Sequence, residues 1–108
     1  MATVTGISVF RGIVRVYVDG RAFTAIDEKT YKKYPLSEGD DIDEAEYLDR
    51  VSAVQFKTAW EMAVSLLAAS AKTQAQIKNT LLKKGVAEPA ADAVIDRAED
   101  LFDAMEKL

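Results

Sequence analysis

Residues 43–70 constrain the fold more than any other stretch, because they read as one long helix or as two helices meeting end to end. Asp43 is placed to cap the start, with Glu46 at the third helical position, the reciprocal capping-box spacing. Leu48, Val51, Ala59, Ala63, Leu66 and Leu67 then recur at the steps of one helical face. Towards the end, Trp60, Met62, Val64, Ala68 and Ala69 extend the apolar surface nearly all round. A helix that is apolar on every side is buried on every side, so the chain before it and the chain after it are both expected to lie against it. Ser52 with Gln55 forms a second capping spacing, which leaves a break near Val51 open.

The preceding segment is β-rich. Residues 3–10 and 13–18 are dense in β-branched side chains, and Val14, Val16 and Val18 alternate with Ile13, Arg15 and Tyr17 as in a half-buried strand. Asp19 and Gly20 then separate this run from a third one at 22–26, and Asp-Gly between two such runs predicts a tight hairpin. Three antiparallel strands are the least that stand with a helix against them, and Val16 and Trp60 are both expected in that interface. Asp27 is suited to cap a short helix containing Tyr31 and Tyr34, which Pro35 stops. A loop follows, as far as Asp43.

Beyond residue 70, Thr73 and Gln76 repeat the capping-box spacing, and Ile77 and Leu81 give an apolar stripe. Gly85 is placed to end that helix, and Pro89 suits the first turn of the next. Val94, Ala98, Leu101, Phe102 and Met105 line one side of this last helix, and Asp92, Asp96, Glu99, Asp100 and Asp103 the other. The expected fold class is α+β: a small N-terminal three-stranded antiparallel sheet packed on a C-terminal three-helix bundle. The division falls into a β-rich part at 1–42 and a helical part at 43–108. At 108 residues, one domain of modest core is expected.

Charge is uneven along the chain. Net charge is −4, which argues against indiscriminate nucleic-acid binding. Residues 1–37 carry six basic and three acidic groups, whereas 38–50 carry one and seven. Residues 71–86 carry four lysines and no acid, and 87–108 carry two basic and seven acidic groups. Runs of this kind commonly only solvate a face. Read as function, Lys72, Lys78, Lys83 and Lys84, with Arg15 and Arg21, are the candidate partner-binding residues.

Catalytic chemistry finds little support. With no His and no Cys, the usual general base, the commonest metal ligand and any thiolate site are missing. The acidic run from Asp40 to Glu44 lacks the alternating ligand spacing of a calcium loop and is better explained as a solvated helix start. The glycines are scattered at turns, without a phosphate-binding loop. Trp60 and the tyrosines offer stacking surfaces, but Trp60 sits in the most apolar stretch, where a core role is expected. No enzyme, metal or cofactor is predicted. No apolar run approaches the ~20 residues of a membrane span, and the start lacks a signal-peptide core, so a cytoplasmic protein is expected.

Several stretches, in order, resemble the RecX family of bacterial regulators of the recombinase RecA. They are the hairpin from Arg15 through Asp19 and Gly20 to Phe23, and the joint Leu36, Ser37, Glu38, Gly39 and Asp40. They continue with the small-residue helix around Ala59, Ala63, Leu66 and Leu67, then Lys72, Thr73, Gln76, Ile77, Leu81, Lys84 and Gly85, then Val94, Ile95 and Asp96. The resemblance implies an N-terminal β-rich extension followed by the family's first three-helix repeat. It implies a non-enzymatic regulator in DNA repair and recombination, with RecA or the RecA–DNA filament as partner. Family members usually continue into two further repeats, so the chain reads as a fragment or a short homologue. The alternative is a small nucleic-acid-binding helical domain that makes weak contact through the same basic residues.

Overall fold

The computed structural model describes the backbone of residues 1–69 and 73–106, with side-chain surroundings as far as residue 98. The fold is mixed α+β. Strands β1 (Ala2–Phe10), β2 (Ile13–Val18) and β3 (Arg21–Asp27) lead into helix α1 (Glu28–Lys33). A two-residue strand β4 (Asp41–Ile42) precedes helices α2 (Glu44–Ala69), α3 (Gln74–Lys83) and α4 (Glu88–Glu106). The sheet is antiparallel in the order β3-β2-β1-β4, so it has four strands where three were expected. The fourth pairs only Ile42 with Ala2 and Asp41 with Thr3, too short a run to leave a periodic signal in sequence.

Local chemistry accounts for most boundaries. Asp19 at φ 50° and Gly20 at φ 79° make the left-handed pair that the expected hairpin turn requires. Asp27 Oδ2 accepts from Thr30 N at 3.0 Å and starts α1. Thr73 and Gln76 form both arms of their capping box, at 3.1 and 2.9 Å. At the head of α2 only one arm forms. Asp43 Oδ1 accepts from Glu46 N at 3.0 Å, while the Glu46 carboxylate pairs with Arg50 one turn on, at 2.6 Å. No break occurs near Val51: α2 is one helix of 26 residues.

The core is divided along α2. Val4, Val14, Val16, Val18 and Ile42 form a cluster within the sheet. Ala59, Ala63, Ile77, Leu81, Val86, Ala90, Ala91 and Val94 form another within the helices. Between them, Ile26, Tyr47, Val51 and Ala87 make a waist. The molecule is accordingly elongated, 53 × 26 × 22 Å. Buried residues of α2 step by four, at Tyr47, Val51, Gln55, Ala59 and Ala63, which is a single stripe.

That stripe corrects two expectations. The end of α2 is not enclosed: Val64 is 44% exposed, and Trp60, Met62, Leu66 and Leu67 are only half-buried. The sheet reaches only the first half of the helix, so α3 and α4 are left to cover the second half from one side. Val16 and Trp60 also do not share an interface; Val16 lies in the sheet cluster and Trp60 packs against the helical one. On α4, Val94 and Ala98 are buried, and Asp92 and Asp96 are exposed. The side chains of Leu101, Phe102, Met105, Glu99, Asp100 and Asp103 lie outside the described ones.

Candidate functional site

The waist is fastened by one side chain. Gln55 is 4% exposed, and its amide uses both ends. Nε2 donates to Asp27 Oδ1 at 3.0 Å and to Gly85 O at 2.6 Å, while Oε1 accepts from Ala87 N at 2.8 Å. The same place carries a backbone bond, Asp27 N to Gly85 O at 3.2 Å. The joint between α3 and α4 is thereby locked to the end of β3. Gly85 is required there twice over. Its φ is +90°, and a Cβ would stand 2.6 Å from Asp27 N and 2.8 Å from Ile13 Cδ1. Burial pushes the Asp27 carboxyl up, but donation from Gln55 and from Thr30 outweighs it and holds the group below its ordinary 3.8.

This clasp places three lysines around one hollow of about 210 Å³. Lys29 and Lys33 come from α1, four residues apart and so on one face, and Lys84 comes from the C-cap of α3. Thr30, Gln55, Thr58 and Met62 line the hollow between them, and Asp27 contributes the acid. It shares Thr58, Met62 and Lys84 with a shallower groove of about 420 Å³ that continues along α2 past Glu61, Ser65 and Leu66. The long groove therefore carries lysines at one end and, along α2, Met62 and Leu66 interleaved with Thr58, Glu61 and Ser65. Among the described residues, Lys29, Lys33, Lys83 and Lys84 form no ion pair.

The residues singled out by sequence are not gathered in one place. Lys83 and Lys84 stand exposed at the end of α3. Lys78 turns towards α4, where Asp92 binds its Nζ at 2.7 Å and Glu88 at 3.5 Å. The Asp92 bond leads in holding its pKa above the ordinary value. Asp92, expected on the side of α4 away from its apolar face, thus reaches across to this lysine. Arg21 pairs with Glu44 at the start of α2, at 3.2 Å. Arg15 is exposed on β2, opposite Ala25 and Ser8. Lys72 lies outside the described residues. Lys29 and Lys33 were not singled out. Their spacing on a short capped helix was visible, but their closeness to Lys84 follows only from the clasp.

Among the described residues, no group of three or more acidic, His or Cys side chains could hold a metal, and no helix is long and apolar enough to cross a membrane. Residues 59–97 match the family model described as RecX, first three-helix domain. Over that stretch the chain is similar to the first three-helix domain of RecX. The match runs from the second half of α2 through α3 into α4, and includes Lys78, Lys83, Lys84 and Gly85. A crystal structure of regulatory protein RecX aligns with 94% of this chain and 51% of its own, at 18% identity and a TM-score of 0.47. The chain therefore spans about half the length of that RecX protein. No protein of curated function matches the sequence.

Proposed function

We propose that this chain is a non-enzymatic, cytoplasmic regulatory module of the RecX type. In this reading it serves recombination and DNA repair by binding RecA or RecA–DNA filaments. The RecX match at 59–97 is the observation that carries it. The groove gives it a working surface: Lys33 and Lys84, which form no ion pair among the described residues, offer charge beside Met62 and Leu66, and Lys83 stands exposed next to Lys84 at the end of α3. A surface of that kind recognises an acidic, partly apolar protein patch, with charge setting orientation and approach more than affinity. Lys78 contributes less, because Asp92 already occupies it.

The test is binding of the chain to RecA–single-strand filaments, to RecA alone and to free DNA. The comparison variant carries Lys33→Glu, Lys83→Glu and Lys84→Glu together. Loss of filament and RecA binding is the expected result. Equal binding by both proteins to every target would sink this surface. The second reading, nucleic-acid contact, is favoured by the three lysines that converge on one hollow. It predicts a loss confined to free DNA, and an affinity that falls steeply with salt, in proportion to the phosphates neutralised.

A further inference from the structure

The outer edge of β1 is covered for only a third of its length. β4 pairs with Ala2 and Thr3, and the 39–40 loop bonds to Val4 through Val4 N to Asp40 O and Gly39 N to Val4 O, each 2.8 Å. Among the described residues nothing pairs beyond that point. Strands at open edges are usually guarded by charge, by proline or by brevity. β1 is nine residues long and contains no charged residue and no proline. Two of its last residues are large, apolar and exposed, Val9 at 56% and Phe10 at 66%. The opposite edge differs: β3 starts at Arg21, paired to Glu44, and ends bonded to Gly85.

We propose that this edge binds a second copy of the same chain, β1 against β1 in antiparallel, about a two-fold axis at Ser8. The register follows from the hairpin. Phe10 pairs with Ile13 across a two-residue turn, so Phe10, Ser8 and Gly6 direct their backbone groups to β2. Ile7 and Val9 consequently direct theirs to the open edge. Only a pairing of Ile7 with Val9 of the second copy, and of Val9 with its Ile7, satisfies all of them at once. Ser8 then faces Ser8 at a non-hydrogen-bonded position.

Three independent features fit that register. Ile7 and Val9 share the face of Val16 and Val14, their partners on β2, so the pairing extends the apolar face and covers Val9. On the other face Phe10 falls opposite Gly6 of the second copy. Gly6 offers no side chain, and the Tyr17 ring lies 3.5 Å from where its Cβ would be, an open seat beside an aromatic surface. Finally, Arg11 at the hairpin tip, its guanidinium 5.2 Å over Phe10, comes beside the loop bearing Glu38, Asp40 and Asp41. The two-fold axis makes this charge match twice. A charge-free strand also meets itself without like-charge repulsion.

Sedimentation of the intact chain over a range of concentrations is expected to show a reversible monomer–dimer equilibrium. Ser8→Lys and Ser8→Glu each place like charges face to face and should raise the dissociation constant roughly tenfold or more. Mixing the two variants should restore the dimer, which a folding defect would not do. The chain has no Cys, and a non-hydrogen-bonded pair has Cα atoms about 4.5 Å apart, within disulfide reach. Ser8→Cys is therefore expected to oxidise to a covalent dimer faster than Lys57→Cys on the exposed side of α2. A chain that sediments as a monomer throughout overturns the proposal. So does a dimer insensitive to both charge variants, or Ser8→Cys cross-linking no faster than Lys57→Cys.

Discussion

Gln55 carries more of the architecture than any other polar side chain among the described residues. Replacing it by Leu keeps the volume but strands the Ala87 N–H in a buried site, where an unmade bond costs about 1–3 kcal/mol. With the lost bonds to Asp27 and Gly85, a total of about 2–4 kcal/mol is expected, read as a lower urea midpoint. The same clasp sets an acid dependence. The Asp27 pKa is depressed in the folded chain, so its contribution is present above about pH 4 and is lost as pH falls through the folded value. Unfolding midpoints measured from pH 6 to pH 2 should fall less steeply in Gln55→Leu than in the parent. Sequence reading saw Gln55 only as a cap partner of Ser52. Its true partners are 28 to 32 residues away, and no local pattern encodes a contact of that range. The Ser52 hydroxyl, buried without a bond among the described residues, marks where that local reading broke down.

At the scale of elements, what was legible was what a few adjacent residues decide. Asp27, Pro35, Thr73 with Gln76, and Asp19 with Gly20 each act on their own turn of chain, and each does what its chemistry predicts. What was not legible is the side on which elements meet. The apolar residues around Trp60 look alike from every direction in sequence, yet only Ala59 and Ala63 there are fully covered. The candidate site was hidden for the same reason, because α1 and the end of α3 are adjacent only after docking. The α3–α4 joint offers a direct test of that docking. Gly85→Ala adds backbone strain and a clash with β3, and should cost about 2–4 kcal/mol. Gly12→Ala, at φ +77° with nothing within 4 Å, should cost only the strain, about 1 kcal/mol. Equal losses in chemical denaturation would mean that the close approach is not an energetic contact.

Over the whole molecule, two clusters sit at the ends of one helix with a small waist between them. Tyr47 belongs to that waist and donates to Tyr34 O at 2.9 Å. Burial, with a smaller contribution from Tyr31, pushes its pKa up to about 12. A raised pKa means that the folded state holds the proton more tightly. Its stabilisation is therefore full below the ordinary value near 10 and fades as pH rises through about 12. Alkaline unfolding should begin in this range and be blunted in Tyr47→Phe, which has no proton to lose. Seen mechanically, α2 is a beam about 39 Å long, from its 26 residues, carrying a load at each end. Gln55 sits near its midpoint as the brace between them. Torque applied to the sheet passes through that brace to the α3–α4 joint, so Lys84 is expected to turn together with Lys29 and Lys33. Whatever grips one end of the beam should then leave the spacing of the three cations at its middle unchanged, and cutting the brace should leave both ends folded but mechanically deaf to each other.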